Sequence, residues 1–357
     1  MRIPTLIMGP RLVRLDMNQL VNGEWRTDTY EATDEDGAFQ RGETTFRNWI
    51  VGSDIPDHVD AEIDERFTPE AGRYHLYVSY ACPWAHRTLL ARSILGLEDV
   101  ISVSVVDPWR GEDGWQFSPE KPGCTVDKLH DSTYLRELYV EADPDATCRV
   151  TVPVLWDTEE DTVVNNESRE ILRMLTTAFA DLGNGARLLP EDADEVDRVD
   201  EVISEIYEPI NNGVYRAGFA TSQSAYDEAI DELFEALGRW DDHLAENRYL
   251  VGDTLTEADI CLFTTLVRFD HVYHTHFMCN RRFIHQYEHL WPYLRDIYTT
   301  PGVAETVDMD HIKEHYYTTH PDVTPTGIIA HGPDLDFEAP HDRDRLAGSP
   351  PIPESAD

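Results

Sequence analysis

Hydrophobic and polar positions change their spacing along this chain in a way that marks strands, helices and the joints between them. Tyr74 to Tyr80 is dense in aromatic and β-branched residues and predicts a strand, whereas from Pro83 onward Ala, Leu and Ile recur at helical spacing. A second β-branched run, Asp99 to Val106, predicts a central strand, so strand, helix and strand make a parallel βαβ unit. Arg149 to Asp157 and Thr162 to Asn165 predict an extended segment and a hairpin, and Asn165 to Leu175 opens an amphipathic helix. After the linker Asp181 to Arg187 the chain is helical almost throughout, with apolar periodicity at Val199 to Ile210 and Ala225 to Leu244. Thr256 and Asp259 fit a capping pattern ahead of a very apolar helix.

These elements divide the chain into four regions. Residues 1–70 are polar with aromatic islands at Trp25, Phe39, Phe46 and Trp49, the pattern of an extension that packs on a larger body. Residues 71–182 hold the α/β elements, with a Gly- and Pro-punctuated insertion at 107–147 that contains one helical piece at Tyr134 to Val140. Residues 190–321 are all-α, and the tail, 322–357, is rich in Pro, Gly and Asp and either wraps or frays. No internal repeat is visible.

The joint at Cys82 carries the chemistry. Pro83 suits the first position of a helix because its missing N–H would be unpaired there, which makes Cys82 the N-cap. Unpaired backbone N–H groups and the positive end of the helix dipole favour a thiolate, and Arg87 could add charge. The plainer alternative is a buried structural cysteine. Ala85 stands where a redox pair would place its second Cys, so any disulfide of Cys82 would be with an external thiol. Pro153 in a strand-like run marks a strand start with a cis Val152–Pro153 bond, leaving the Val152 backbone free for an extended peptide, or else an edge-strand proline.

Composition narrows the setting. Against 29 Lys and Arg stand 69 Asp and Glu, a formal net charge of −40, and the excess is spread along the chain as on salt-adapted halophilic proteins. Nucleic acid and anionic membrane are poor partners for such a surface. Five cysteines without paired spacing imply a reducing compartment, and neither a signal peptide nor a membrane span is predicted, which points to the cytoplasm. His271, His274, His276 and Cys279 form the most metal-like cluster, but at helical spacing they do not all share a face, which fits zinc poorly.

In order, these features resemble a glutathione transferase, with a thioredoxin-like domain followed by an all-helical one. More narrowly, the chain resembles the Xi class, the glutathionyl-hydroquinone reductases. The resemblance rests on Tyr80-Ala-Cys82-Pro-Trp-Ala-His-Arg87, Gly114-Trp115-Gln-Phe117, Thr151-Val-Pro-Val-Leu-Trp-Asp157, Val164-Asn-Asn-Glu-Ser168, Asn211 to Ala220 and His311 to Tyr317, and covers about residues 40–320. It implies that Cys82 attacks the sulfur of a glutathionyl-hydroquinone and holds glutathione as a mixed disulfide until a second thiol arrives. It further implies that Trp115, Val152, Glu167 and Ser168 hold the tripeptide, with Arg136 a candidate for its glycine carboxylate. Tyr215 and Tyr316, with Tyr317 as a third candidate, would line the hydroquinone site, and each could equally be a core aromatic.

The co-substrate implied is glutathione, or γ-glutamylcysteine if the acid bias does mark a halophile, with no permanently bound cofactor. A homodimer is expected for this plan. Two other functions remain open: conjugation of glutathione to electrophiles, which a Ser or Tyr in place of Cys82 would suit better, and a non-catalytic binding module, which needs no thiolate. Cys124 in the insertion is incidental or forms an off-pathway disulfide.

Overall fold

The computed structural model describes residues 18–27, 32–42 and 44–351. Two short strands open it, β1 (Gln19–Val21) and β2 (Glu24–Arg26), followed by irregular chain that lays Trp49, Ile50 and Phe67 into the core. Trp25 and Phe46, two of the aromatic islands, are partly buried against it. Next come β3 (Tyr74–Val78), α1 (Pro83–Ile94), β4 (Ile101–Val105), α2 (Leu135–Ala142), β5 (Cys148–Arg149), β6 (Val154–Asp157), β7 (Thr162–Asn165) and α3 (Ser168–Thr177). β3 and β4 are parallel across α1, and the sheet runs β4-β3-β6-β7 with β6 antiparallel to both neighbours. That is the thioredoxin-like arrangement. β1 also pairs with β5, which ties the start of the described chain to the end of the insertion.

β3 is buried at every position, as a strand covered on both faces must be, and this is why its sequence shows no polar alternation. Pro153 stands just before β6, so no ladder bond is lost, and its peptide with Val152 is cis.

The second half is helical: α4 (Ala193–Ile206), α5 (Gly213–Gly218), α6 (Gln223–His243), α7 (Glu257–Arg268), the single turn α8 (His274–His276), α9 (Leu290–Tyr298) and α10 (Met309–Thr319). Buried at every residue, α7 is the central helix of this half. Its start is capped as the sequence predicts, with Thr256 N–H and Oγ1 both donating to Asp259 Oδ2 at 2.8 and 3.0 Å. Two π-helical turns, Tyr207–Asn211 after α4 and Phe269–Tyr273 after α7, interrupt the regular helices. In the first, Pro209 has no N–H to give, and Asn212 N–H reaches Tyr207 O at 2.7 Å instead. The described part of the tail wraps: buried Arg343 donates to the carbonyls of Leu244 and Arg248 at 2.7 and 2.6 Å.

Candidate active site

Cys82 is the N-cap of α1, with extended backbone (φ −77°, ψ 120°) and Pro83 as the first helical residue. Its sulfur lies 3.6 Å from the Val152 carbonyl, so the strand–helix joint and the cis-proline turn meet as predicted. Burial pushes the Cys82 thiol up, while the N–H groups of Ala85 and Trp84 and the positive charges of Arg268 and Arg41 pull it down. The net direction is upward, against the sequence expectation of a favoured thiolate, because burial of the thiol outweighs the helix N–H groups. Nor does Arg87 supply the charge. Five positions past Cys82 it faces elsewhere, donating to Asn211 Oδ1 at 2.9 Å and Ser168 Oγ at 3.4 Å.

Arg268, at the end of α7, takes that part. Its Nε donates to Ala81 O at 3.0 Å and its Nη2 to Tyr80 O at 2.9 Å, while its Nη1 donates to Thr264 O at 2.8 Å and lies 3.0 Å from His86 Nδ1. A fixed cation from the helical half thus grips the turn that carries the thiol.

Cys82 opens on a cavity of about 140 Å³ whose wall includes Trp115, Val152, Tyr215 and Tyr316. A neighbouring cleft of about 260 Å³ shares Arg41, Trp84 and Val152 with it and contains Glu167 and Ser168. Glu167 caps α3, its carboxylate accepting from Arg169 N–H at 3.3 Å and Thr44 Oγ1 at 3.3 Å. A helix start with an acid and a hydroxyl beside it is suited to a zwitterionic amino-acid group, the amine on Glu167 and the carboxylate on the Ser168 side.

On the opposite wall Tyr215 and Tyr316 hydroxyls are 2.5 Å apart, and Tyr316 is 3.0 Å from Tyr273. If Tyr273 donates to Tyr316 and Tyr316 to Tyr215, the Tyr215 proton is left to point into the cavity. Burial holds all three phenols above their usual range, so they act as donors.

Of the residues expected from the sequence, Cys82, Trp115, Val152, Tyr215 and Tyr316 line one cavity and Glu167 and Ser168 the adjoining cleft. Two lie elsewhere. Arg136 turns away, pairing with Asp113 Oδ1 at 3.1 Å and stacking on Tyr134 at 4.1 Å, because α2 points it along the outside of the insertion. Tyr317 donates to His271 O at 3.1 Å, and Tyr273 takes the third place in the hydroxyl chain. The His271 to Cys279 cluster disperses: His274 stacks on Phe283 at 3.5 Å, while His276 lies between Thr324 Oγ1 at 2.8 Å and His320 Nδ1 at 3.0 Å. Cys124 is isolated, its thiol pushed up to about 12 by burial and by Asp107.

Comparison with known proteins identifies the family. The family described as glutathione S-transferase, N-terminal domain matches residues 81–178, and the C-terminal domain family matches residues 223–296. The chain is 51% identical over 328 residues to the glutathionyl-hydroquinone reductase YqjG of Escherichia coli, covering 92% of this chain and 99% of that one. The chain belongs to the Xi-class glutathione transferases. A solved Xi-class transferase from Natrialba magadii is 66% identical, with a TM-score of 0.85 over 94% of this chain and 99% of its own. The glutathione-bound structure of YqjG follows at 48% identity and a TM-score of 0.81, over 91% and 99%.

Four contributors to this transferase site were not reached from the sequence: Arg41, Arg110, Tyr273 and Arg268. Arg41 comes from the chain ahead of β3, its Nε donating to Asn212 Oδ1 at 2.9 Å and its guanidinium lying 4.7 Å from the Trp84 ring and 4.8 Å from Tyr215. Its signal was present in part, since Asn211-Asn212 belongs to a quoted motif, but nothing local says which distant side chain those amides receive.

Proposed function

We propose that this protein is a thiol-dependent reductase that removes glutathione, or γ-glutamylcysteine, from glutathionyl-hydroquinones. One observation carries the proposal: a lone cysteine at a helix N-terminus, 3.6 Å from Val152 O, shares its cavity with a tyrosine pair whose hydroxyls lie 2.5 Å apart. The Cys82 thiolate attacks the conjugate sulfur, an S–S bond forms, and the bond from sulfur to ring carbon breaks. The electron pair passes to the ring, which takes up a proton, and Tyr215 donates to the oxygen or carbon where charge develops. A second thiol then attacks the peptide sulfur of the mixed disulfide. It returns Cys82 as thiolate and leaves the two thiol peptides joined as a disulfide, so the two electrons come from thiol.

Glu167 and Ser168 at the start of α3 would receive the γ-glutamyl group, and the Val152 backbone the cysteinyl part. Both are common to glutathione and γ-glutamylcysteine. The acidic surface and the likeness to the Natrialba protein support a halophilic setting, in which γ-glutamylcysteine is the thiol to test first. Five free cysteines support a reducing compartment, and among the described residues no helix is long and apolar enough to cross a membrane. The resemblance also supports a two-fold dimer, which light scattering in high salt would check.

The test offers glutathionyl- and γ-glutamylcysteinyl-hydroquinone to wild type and to Cys82→Ser in high salt. Thiol-dependent hydroquinone release by wild type, reduced at least about 10³-fold in the variant, is expected. Equal turnover by Cys82→Ser would refute the nucleophile, and glutathione conjugation without release would favour a conventional transferase.

A further inference from the structure

The proposed reaction takes up a proton at the ring each time the bond from sulfur to carbon breaks. Tyr215 can steady the developing charge with a hydrogen bond, but a transferred proton needs a source that water renews. The hydroxyl chain behind Tyr215 is closed to water. Tyr316 and Tyr273 are buried, and among the described residues the Tyr273 hydroxyl has no hydrogen-bond partner beyond the other two phenols. The chain therefore ends inside the protein.

A second line of polar groups does reach outward. His320, just past α10, lines the Cys82 cavity, and its Nδ1 lies 3.0 Å from Nε2 of buried His276. On the other side of that ring, His276 Nδ1 lies 2.8 Å from Thr324 Oγ1. His276 and Thr324 line an outer cleft of about 420 Å³, whose wall includes exposed Met278 and Ile328 and which shares Phe219 and Asp322 with the Cys82 cavity. Two imidazoles and a hydroxyl thus cross the wall between cavity and cleft. Ring packing holds them there, Phe219 edge-on to His320 at 5.3 Å and Tyr317 against His276 at 5.3 Å.

The charge state suits a relay. Burial lowers His276 to about 4. Burial, then His315, His276 and Arg110, push His320 well below the usual imidazole range, opposed by the Tyr316 carbonyl. Among the described lining residues of either cavity Asp322 is the single carboxylate, and it is exposed. Both rings are therefore neutral near pH 7, each with one proton to give and one lone pair to receive.

We propose that Thr324, His276 and His320 form a proton relay from the outer cleft to the departing hydroquinone. The inference rests on the proposed reductase function. In the loaded state Thr324 Oγ1 donates to His276 Nδ1, His276 Nε2 donates to His320 Nδ1, and the proton on His320 Nε2 is the one given to substrate. As the bond from sulfur to carbon breaks, its electron pair takes that proton. The His276 proton moves to His320 Nδ1, the Thr324 proton moves to His276 Nδ1, and water in the cleft reprotonates Thr324, leaving hydroxide to the buffer. When the second thiol ionises, its proton goes to His320 Nε2 and the same groups pass one proton back out. No proton is consumed over the cycle, and the relay is reset. His320 is then a catalytic residue, with His276 and Thr324 acting through it.

Single turnover of glutathionyl-hydroquinone by rapid mixing in high salt reads the step in which Cys82 becomes a mixed disulfide and hydroquinone leaves. His320→Gln should slow it about 10²-fold and His276→Phe, which keeps the ring packing, about tenfold. Thr324→Val, at the outer end where the fold is least at risk, should slow it about threefold, and Thr324→Ser should recover most of that loss. Imidazole added to His320→Gln should restore part of the rate. In mixtures of light and heavy water the wild-type rate should follow a curve, because several protons move together, and that of His276→Phe a straight line. Wild-type rates in His320→Gln and His276→Phe would overturn the relay. So would slow variants that imidazole does not rescue and whose isotope dependence matches wild type, since lost packing alone behaves in that way. Wild type that releases no hydroquinone would refute the reductase function and the relay with it, whereas release at the wild-type rate by every variant would refute the relay alone.

Discussion

The two ends of α7 meet the thioredoxin-like half in opposite electrical states. At its start, buried Glu257 receives Arg173 of α3 at 2.9 Å, and Asp200 of α4 takes the same guanidinium at 2.7 Å. At its end, buried Arg268 reaches the carbonyls of Tyr80 and Ala81 and meets no carboxylate among the described residues. Both charges suit the helix dipole, acid at the N-terminus and base at the C-terminus. The first end is neutralised and serves cohesion. The second is left positive beside Cys82, where an anion must form during reaction. An unpaired buried charge is therefore a marker of chemistry here, and a paired one a marker of structure.

Substitutions at the two ends should separate these roles. The largest loss of stability is expected from Arg173→Met, which strands Glu257 and Asp200 without their cation. Urea denaturation should show about 3–5 kcal/mol lost, while Cys82 titrates as in wild type. Arg268→Gln should cost less, about 2–3 kcal/mol, yet push the Cys82 thiol higher still, since one of the charges that pulls it down is removed. The pH dependence of alkylation reads this, with Cys82→Ser giving the background from the other four thiols. An unchanged Cys82 titration in Arg268→Gln would remove the distinction between the two ends.

Tyr273→Phe tests the site without touching either end. Loss of the hydroxyl that feeds Tyr316 should lower kcat about tenfold with KM and thiol titration unchanged. The smallest effect concerns neutral histidines near the cavity. Burial lowers His315 to about 3 and His276 to about 4, from 6.5. The unfolded chain then binds more protons than the folded one, so their contribution is complete above pH about 6.5 and is lost as pH falls toward those values. His315→Gln should flatten the acid limb by about 1 kcal/mol per pH unit, measured by denaturation at successive pH values.

Much of the catalytic frame was legible because it is local. Cys82 as N-cap follows from Pro83, and the cap of α3 from the Asn165 to Ser168 run. Val152 beside Cys82 is what the family resemblance implied. Errors fell where direction depends on packing. Arg87 and Arg136 have the right charge at nearly the right place, but helix phase turns one toward Asn211 and the other toward Asp113. Tyr317 and Tyr273 were exchanged for a related reason. Adjacent helical residues Tyr316 and Tyr317 point to different sides, and a π-turn about forty residues earlier brings Tyr273 to the inward one.

Periodicity, turn chemistry and charge were enough to mark the α/β and helical halves and to set Cys82 at a helix N-cap, since each depends on neighbours within a few positions. Only the folded chain decided which arginines surround the sulfur. Arg41, Arg110 and Arg268 come from three separate segments, and a side chain's electrostatic surroundings are fixed by what long-range packing sets beside it and by the water that packing expels.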